Sequence, residues 1–191
     1  MLLKKYSNYN LECGVDEAGR GCLAGPVTAA AVILKPDFNH GLINDSKKLS
    51  ASLREKLAPI IIENSICFAV KNVSPKKIDE INILNASILA MHKCIKVLDP
   101  KPDFILVDGN KFKSFTNIPH KTIVKGDGKY LNIAAASILA KYYRDNFMKK
   151  IHINFKNYGW FKNKGYPTKE HKMNILKNGL TKHHRRTFKT N

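Results

Sequence analysis

Asp16 and Glu17 are adjacent carboxylates in the stretch GVDEAGRG, residues 14–21. Asp108 closes the apolar run DFILVD, residues 103–108, and Asp127 sits in KGDG, residues 125–128. Asp16, Asp108 and Asp127 share a context: each lies at or just past the end of a predicted strand, with glycine close by. A lone aspartate in such a place is ordinarily a turn former or a helix cap. Two acids side by side before a Gly-Arg-Gly turn are less ordinary, because adjacent like charges cost energy. Three or four carboxylates crowded into a low-dielectric cleft need a base or a divalent metal to neutralise them. Magnesium takes oxygen ligands and keeps waters, so a carboxylate cluster without His or Cys suits it. Nucleic-acid hydrolysis commonly uses two such ions roughly 3.5–4 Å apart, one activating water and one stabilising the leaving oxygen.

Gly19, Arg20, Gly21 and Gly25 follow the acid pair. Their spacing is G-x-G-x-x-x-G, which is not the dinucleotide-binding fingerprint, and the next element reads as a strand where that fingerprint needs a helix. The G-K-[ST] of a P-loop is absent. The turn is better read as backbone that passes close to a nucleic-acid strand. Glycine permits the approach, and exposed N–H groups can bond a phosphate or a ribose 2′-hydroxyl, the group that separates RNA from DNA.

Periodicity supplies the elements that must hold these residues. Residues 11–15 form a short apolar strand ending at the acid pair, and residues 26–34, between Pro26 and Pro36, form a second strand joined to it as a hairpin. Ser52 and Glu55 make the S-x-x-E pattern of a capping box. Pro59 inside the helix that follows should kink or end it. Residues 66–73 read as a third strand. Ser74-Pro75 resembles a helix start, and Leu84, Ile88, Met91, Ile95 and Leu98 predict a helix over 82–98. Residues 103–108 and 121–125 are strands, 131–150 a helix whose Ala134, Ala135 and Ala136 permit close packing on a sheet, and 168–178 a short helix. This order predicts an α/β fold, a mixed five-stranded sheet flanked by helices. If the strands ending at Asp16 and Asp108 are parallel neighbours, their C-terminal ends bring Asp16, Glu17 and Asp108 together, where open α/β sheets place their sites.

The length of 191 residues suits one domain, and 43% hydrophobic content is that of a globular chain. No run approaches 18 apolar residues, and the first residues lack the apolar core of a signal peptide, so a cytoplasmic protein is expected. Cys13, Cys22, Cys67 and Cys94 form no C-x-x-C pair, which points to reduced, mostly buried thiols. The net charge of +18 points to a polyanionic partner, most commonly nucleic acid.

An ordered set of short motifs carries a resemblance over nearly the whole chain. DEAGRG at 16–21 is followed by LAGPV at 23–27, DSKKL at 45–49, VDG at 107–109, KGD at 125–127, IAAASILAK at 133–141, GYPT at 165–168 and HHRR at 183–186. The chain resembles the bacterial type 2 ribonucleases H, the ribonuclease HII family. The resemblance implies a ribonuclease H-like fold in one catalytic domain, residues 1–191, with a short basic C-terminal helical extension. It implies endonuclease action, with Mg2+ or Mn2+, on RNA–DNA hybrids and on DNA duplexes containing ribonucleotides. Incision would fall 5′ to a single embedded ribonucleotide and leave 3′-hydroxyl and 5′-phosphate ends. By motif, Asp16, Glu17, Asp108 and Asp127 would be the catalytic, metal-holding carboxylates. Gly19, Arg20 and Gly21 would sense the 2′-hydroxyl, and Tyr166 would pack on the sugar at the RNA–DNA junction. Lys47 and Lys48, helped by Ser46, would meet phosphates, as would Lys141 and Arg144, although Arg144 could equally pair with Asp145 or Asp127. His183 and His184 are read as a basic tail, phosphate-facing or packing, because magnesium chemistry does not call for imidazole. A monomer is the default expectation.

Two other readings compete. A non-catalytic nucleic-acid binder explains the charge but not four acids that would repel phosphate without a metal. A resolvase or exonuclease of ribonuclease H-like type has no need of a ribose sensor.

Overall fold

The computed structural model describes residues 2–44 and 49–189. Five strands form one mixed sheet: β1 (Glu12–Ala18), β2 (Val27–Leu34), β3 (Ser65–Val73), β4 (Phe104–Asp108) and β5 (His120–Ile123), in the order β3-β2-β1-β4-β5. The β1, β2 and β3 strands are antiparallel neighbours, whereas β4 runs parallel to both β1 and β5. The expected hairpin and mixed sheet are therefore present. The first strand, however, does not stop at the acid pair: Asp16 and Glu17 lie within β1, opposite Ala30 and Ala29 of β2.

Helices α1 (Ala51–Glu63), α2 (Pro75–Val97) and α3 (Leu131–His152) cover the sheet. Cys13, Val15, Ile105 and Val107 point to the face carrying Met91, Cys94 and Ile95 of α2. Ala30 and Val32 point to the other face, against Leu57 and Ile61 of α1 and Ala134–Ala136 of α3. Strand β4 is buried on both faces, as a parallel central strand should be. Burying a Val, Leu or Ile side chain contributes roughly 1.5–3 kcal/mol, so Ile105, Leu106 and Val107 make a firm base for Asp108. At Gly14 the backbone of α3 approaches closely: a Cβ there would run into the backbone of Asn132 and Ile133. Buried Glu12 ties the same region together, accepting from Ser7 N (2.8 Å), Ser7 Oγ (2.7 Å) and Asn132 Nδ2 (3.2 Å).

Two local expectations are corrected. The N-cap of α1 is Ser50, not Ser52; Ser50 has the extended backbone a cap requires and accepts from Leu53 N at 3.1 Å. Helix α1 also continues through Pro59. Pro59 is exposed, so the carbonyl it leaves without an N–H partner faces water instead of the core. The helix start expected at Ser74-Pro75 and the helix expected over 82–98 belong to one element, α2, interrupted at Asn82. Ser74 caps the first part of α2, and Asn82, at φ 63°, interrupts the helix and caps the rest by accepting from Asn85 N at 3.1 Å. Two short helices, α4 (Trp160–Asn163) and α5 (Lys169–Asn178), and the C-terminal segment pack beyond α3. None of the described helices is long and apolar enough to cross a membrane.

Candidate active site

Strand alternation decides which acids share a face. Along β1, Cys13 and Val15 face α2, so Gly14 and Asp16 face α3 and Glu17 points the other way. Along β4, Ile105 and Val107 face α2, while Leu106 packs on Ile133 of α3. Val15 is in register with Val107, so Asp16 and Asp108, one residue further along each parallel strand, stand side by side on the α3 face. Asp16 is buried. Its Oδ1 accepts from Glu17 N at 2.6 Å, and the Ser137 hydroxyl of α3 donates to it. Asp108 Oδ1 accepts from Gly126 N at 2.7 Å. That bond draws in the 3-10 turn Gly126–Gly128, which carries buried Asp127 and leads directly into α3.

Burial raises the Asp16 carboxyl well above the usual carboxylate range, and the charges of Glu17 and Asp108 push it further; the Ser137 hydrogen bond opposes them. Glu17 reaches the strand end from the opposite face. Its Oε1 lies 3.2 Å from Arg20 Nη1, and Glu17, Arg20 and Asp108 line one small cleft. Among the described residues, no three His, Cys, Asp or Glu side chains already form a metal-binding set. The donor chemistry nevertheless fits a hard divalent cation: the candidate donors are all carboxylate oxygens, and a cation would offset the burial and the repulsion that raise Asp16.

Gly19, Arg20 and Gly21 follow the end of β1 directly. Gly19 has φ +93°, and a Cβ there would overlap the guanidinium of Arg144. Gly165 O accepts from Leu23 N at 2.8 Å, which seats the Tyr166 loop against this turn. Tyr166 hydrogen-bonds Cys22, burial raises its phenol, and Lys141 Nζ lies 5.2 Å from its ring centroid. Lys141 also pairs with Asp145 at 2.7 Å. The structure thus gathers Asp16, Glu17, Asp108, the turn bearing Asp127, Gly19–Gly21, Tyr166 and Lys141 around one end of the sheet. Ser46, Lys47 and Lys48 lie outside the described residues.

Arg144 departs from its expected place. It is fully buried and donates to Pro26 O, Lys164 O and Ala24 O, so it faces neither phosphate nor a carboxylate. His184 and Arg185 of the HHRR motif are buried too, which selects packing for that part of the tail. The sequence reading passed over Ser137, although a hydroxyl among the alanines of IAAAS was a visible signal. It also passed over Arg185, whose surroundings no local pattern discloses.

Acids side by side near the C-terminal ends of adjacent parallel strands, in a mixed five-stranded sheet with helices on both faces, define a ribonuclease H-like α/β protein. The family model for ribonuclease HII matches residues 13–191. Ribonuclease HII of Christiangramia forsetii is 58% identical over 188 residues, covering 98% of this chain and 95% of that protein. Ribonuclease HII of Bacteroides fragilis is 55% identical, covering 98% and 94%. Among solved structures, the ribonuclease H2 from Pyrococcus horikoshii superposes with a TM-score of 0.79 at 27% identity, covering 94% of each chain. The RNase HII in a PCNA complex from Archaeoglobus fulgidus superposes with a TM-score of 0.78 at 28% identity, covering 94% and 96%. The chain belongs to the ribonuclease HII family, and is an endoribonuclease of the ribonuclease H type.

Proposed function

We propose that this chain, acting as one catalytic domain, hydrolyses the phosphodiester 5′ to ribonucleotides in RNA–DNA hybrids and in DNA duplexes containing single ribonucleotides. The products carry 3′-hydroxyl and 5′-phosphate ends. The observation that carries this reading is the placement of Asp16 beside Asp108 on one face of the sheet, with Gly19–Gly21 continuing from the same strand.

Asp16, Glu17, Asp108 and Asp127 are the residues that would hold Mg2+ or Mn2+. When bound, such ions activate a water and stabilise the leaving oxygen. The chain's own residues do the rest. Ser137 and the Glu17 amide hold the Asp16 carboxylate, and Gly126 N–H holds Asp108. The Gly19–Gly21 backbone meets the ribose 2′-hydroxyl, Tyr166 packs on the sugar, and Arg20 and Lys141 lie where a phosphate backbone would pass. With a net charge of +18, the surface supplies sequence-independent attraction for the duplex.

The test is a labelled DNA duplex with one ribonucleotide, incubated with and without magnesium, beside an all-DNA control. A magnesium-dependent nick 5′ to the ribonucleotide is expected, absent from the control. Asp108→Asn should lose at least 100-fold in rate, the order expected when electrostatic stabilisation is removed, while still binding the duplex. Binding without a nick in either metal would replace the enzyme reading with the binder; loss of binding in parallel with rate would remove Asp108 from the chemistry.

A further inference from the structure

Two buried guanidinium groups have no place in the chemistry described so far. Arg144 and Arg185 are essentially inaccessible, and neither forms an ion pair among the described residues. Burying a charge costs several kcal/mol unless its donors are satisfied, and here backbone carbonyls satisfy them. Arg185 Nη2 donates to Gly19 O at 2.7 Å and Gly25 O at 3.0 Å, Nη1 to Arg20 O at 2.8 Å, and Nε to Gly25 O at 3.1 Å. Phe188 stacks on this guanidinium, its ring centroid 5.0 Å from Cζ.

The carbonyls Arg185 holds are those of the Gly-Arg-Gly turn. In a trans peptide the carbonyl of one residue and the N–H of the next point in opposite directions across the same plane. Drawing Gly19 O inward therefore turns Arg20 N–H outward, and drawing Arg20 O inward turns Gly21 N–H outward. Neither N–H bonds a backbone acceptor among the described residues, and both residues are exposed. A cation on the carbonyl oxygens also polarises these amides and strengthens the N–H groups as donors. Arg144 extends the clamp: one guanidinium bonds Ala24 O and Pro26 O on this turn and Lys164 O beside Tyr166.

We infer that Arg185 is a positioning residue for sugar recognition, orienting the Arg20 and Gly21 amides toward the ribose, with Arg144 locking that turn to the Tyr166 loop. The C-terminal segment is thereby part of the substrate-recognition apparatus. This rests on the proposal that Gly19–Gly21 senses the 2′-hydroxyl.

The experiment compares affinities for a labelled duplex containing one ribonucleotide and an all-DNA duplex of the same sequence. It is done with magnesium in an Asp108→Asn background, so that nothing is cleaved. Arg185→Lys keeps the charge but lacks the planar fork whose four N–H bonds hold these three carbonyls in place. The ribonucleotide preference should fall about 5- to 10-fold, while affinity for the all-DNA duplex, held by phosphate contacts, changes less than about twofold. A merely structural role would lower the melting temperature, or weaken both duplexes equally, and leave the ratio alone; that result overturns the inference. Should Arg185→Lys fail to fold, Phe188→Leu loosens the same guanidinium and should lower the preference about two- to fivefold, the range of an exposed cation–π contact; an unchanged ratio there overturns it as well. If the Asp108→Asn parent shows no ribonucleotide preference at all, the sugar-sensor reading fails first, and the two failures are distinct.

Discussion

Protonation of His184 should cost this protein roughly 2–3 kcal/mol of stability by about pH 4.5. His184 Nδ1 accepts from Thr181 N at 2.9 Å, which leaves the proton of the neutral ring on Nε2. Nε2 lies 3.3 Å from His171 Nε2, which also accepts from Trp160 Nε1 at 2.9 Å, while His171 Nδ1 donates to Tyr166 O at 2.9 Å. These partners assign both tautomers, and every position is filled with both rings neutral. A second proton on His184 would point its Nδ1–H toward the Thr181 N–H, with the Thr181 hydroxyl, 3.0 Å away, as the one neutral acceptor that could turn to meet it. The surrounding groups offer no compensating anion: the Tyr158 and Trp160 rings pack on it, and His171 and His183 repel its charge. Burial, then these two histidines, push its pKa from 6.5 to about 4. The folded state thus binds fewer protons than the unfolded chain between those values, and stability present above the unfolded pKa is lost as pH falls toward 4. One pKa unit is about 1.4 kcal/mol, so most of the shift is expressed by about pH 4.5. The assay is urea unfolding of the wild type and His184→Asn at about pH 7.5 and about pH 4.5, taking the difference between the proteins so that groups shared by both, including Asp16, cancel. The variant should be less stable at the higher pH, and the gap should shrink by about 2–3 kcal/mol at the lower one. A gap independent of pH would refute the argument that the neutral network is what His184 contributes.

Gly14→Ala should destabilise by about 1–3 kcal/mol, because the new methyl group meets backbone that cannot swing away; denaturant melts measure the loss, and nicking activity should fall with it as Ser137 is displaced from Asp16. Pro59→Ala should raise stability by about 1 kcal/mol or more by restoring a helix N–H on the exposed face of α1, read as a higher urea midpoint with unchanged activity.

Local pattern carried much of this protein. Short apolar runs marked all five strands, and 3.6-residue spacing marked the helix over 82–98, because each depends on neighbours a few residues away. The acids beside glycines and the GRG turn were legible for the same reason: their types and spacing state the chemistry before any fold is known. Where sequence reading missed, the competing candidates were close in kind. Ser50 and Ser52 are equally good caps by composition, and only the backbone at Ser50 has the extended form. Pro59 breaks a helix by rule, and only its exposure makes the break unnecessary.

The sequence by itself determined the element types, the carboxylate chemistry and the motifs of the family. Tertiary structure alone decided that Asp16 and Asp108 share a face while Glu17 approaches from the other, because that depends on the register of β1 against β4 across some 90 residues of chain. It likewise decided the fate of Arg144, expected to meet phosphate or pair with Asp145 or Asp127, and of Arg185, which the sequence offered only as part of a basic tail. A guanidinium can be buried only where carbonyls converge on it, and those that converge on Arg185 come from Gly19, Arg20 and Gly25, at the far end of the sequence.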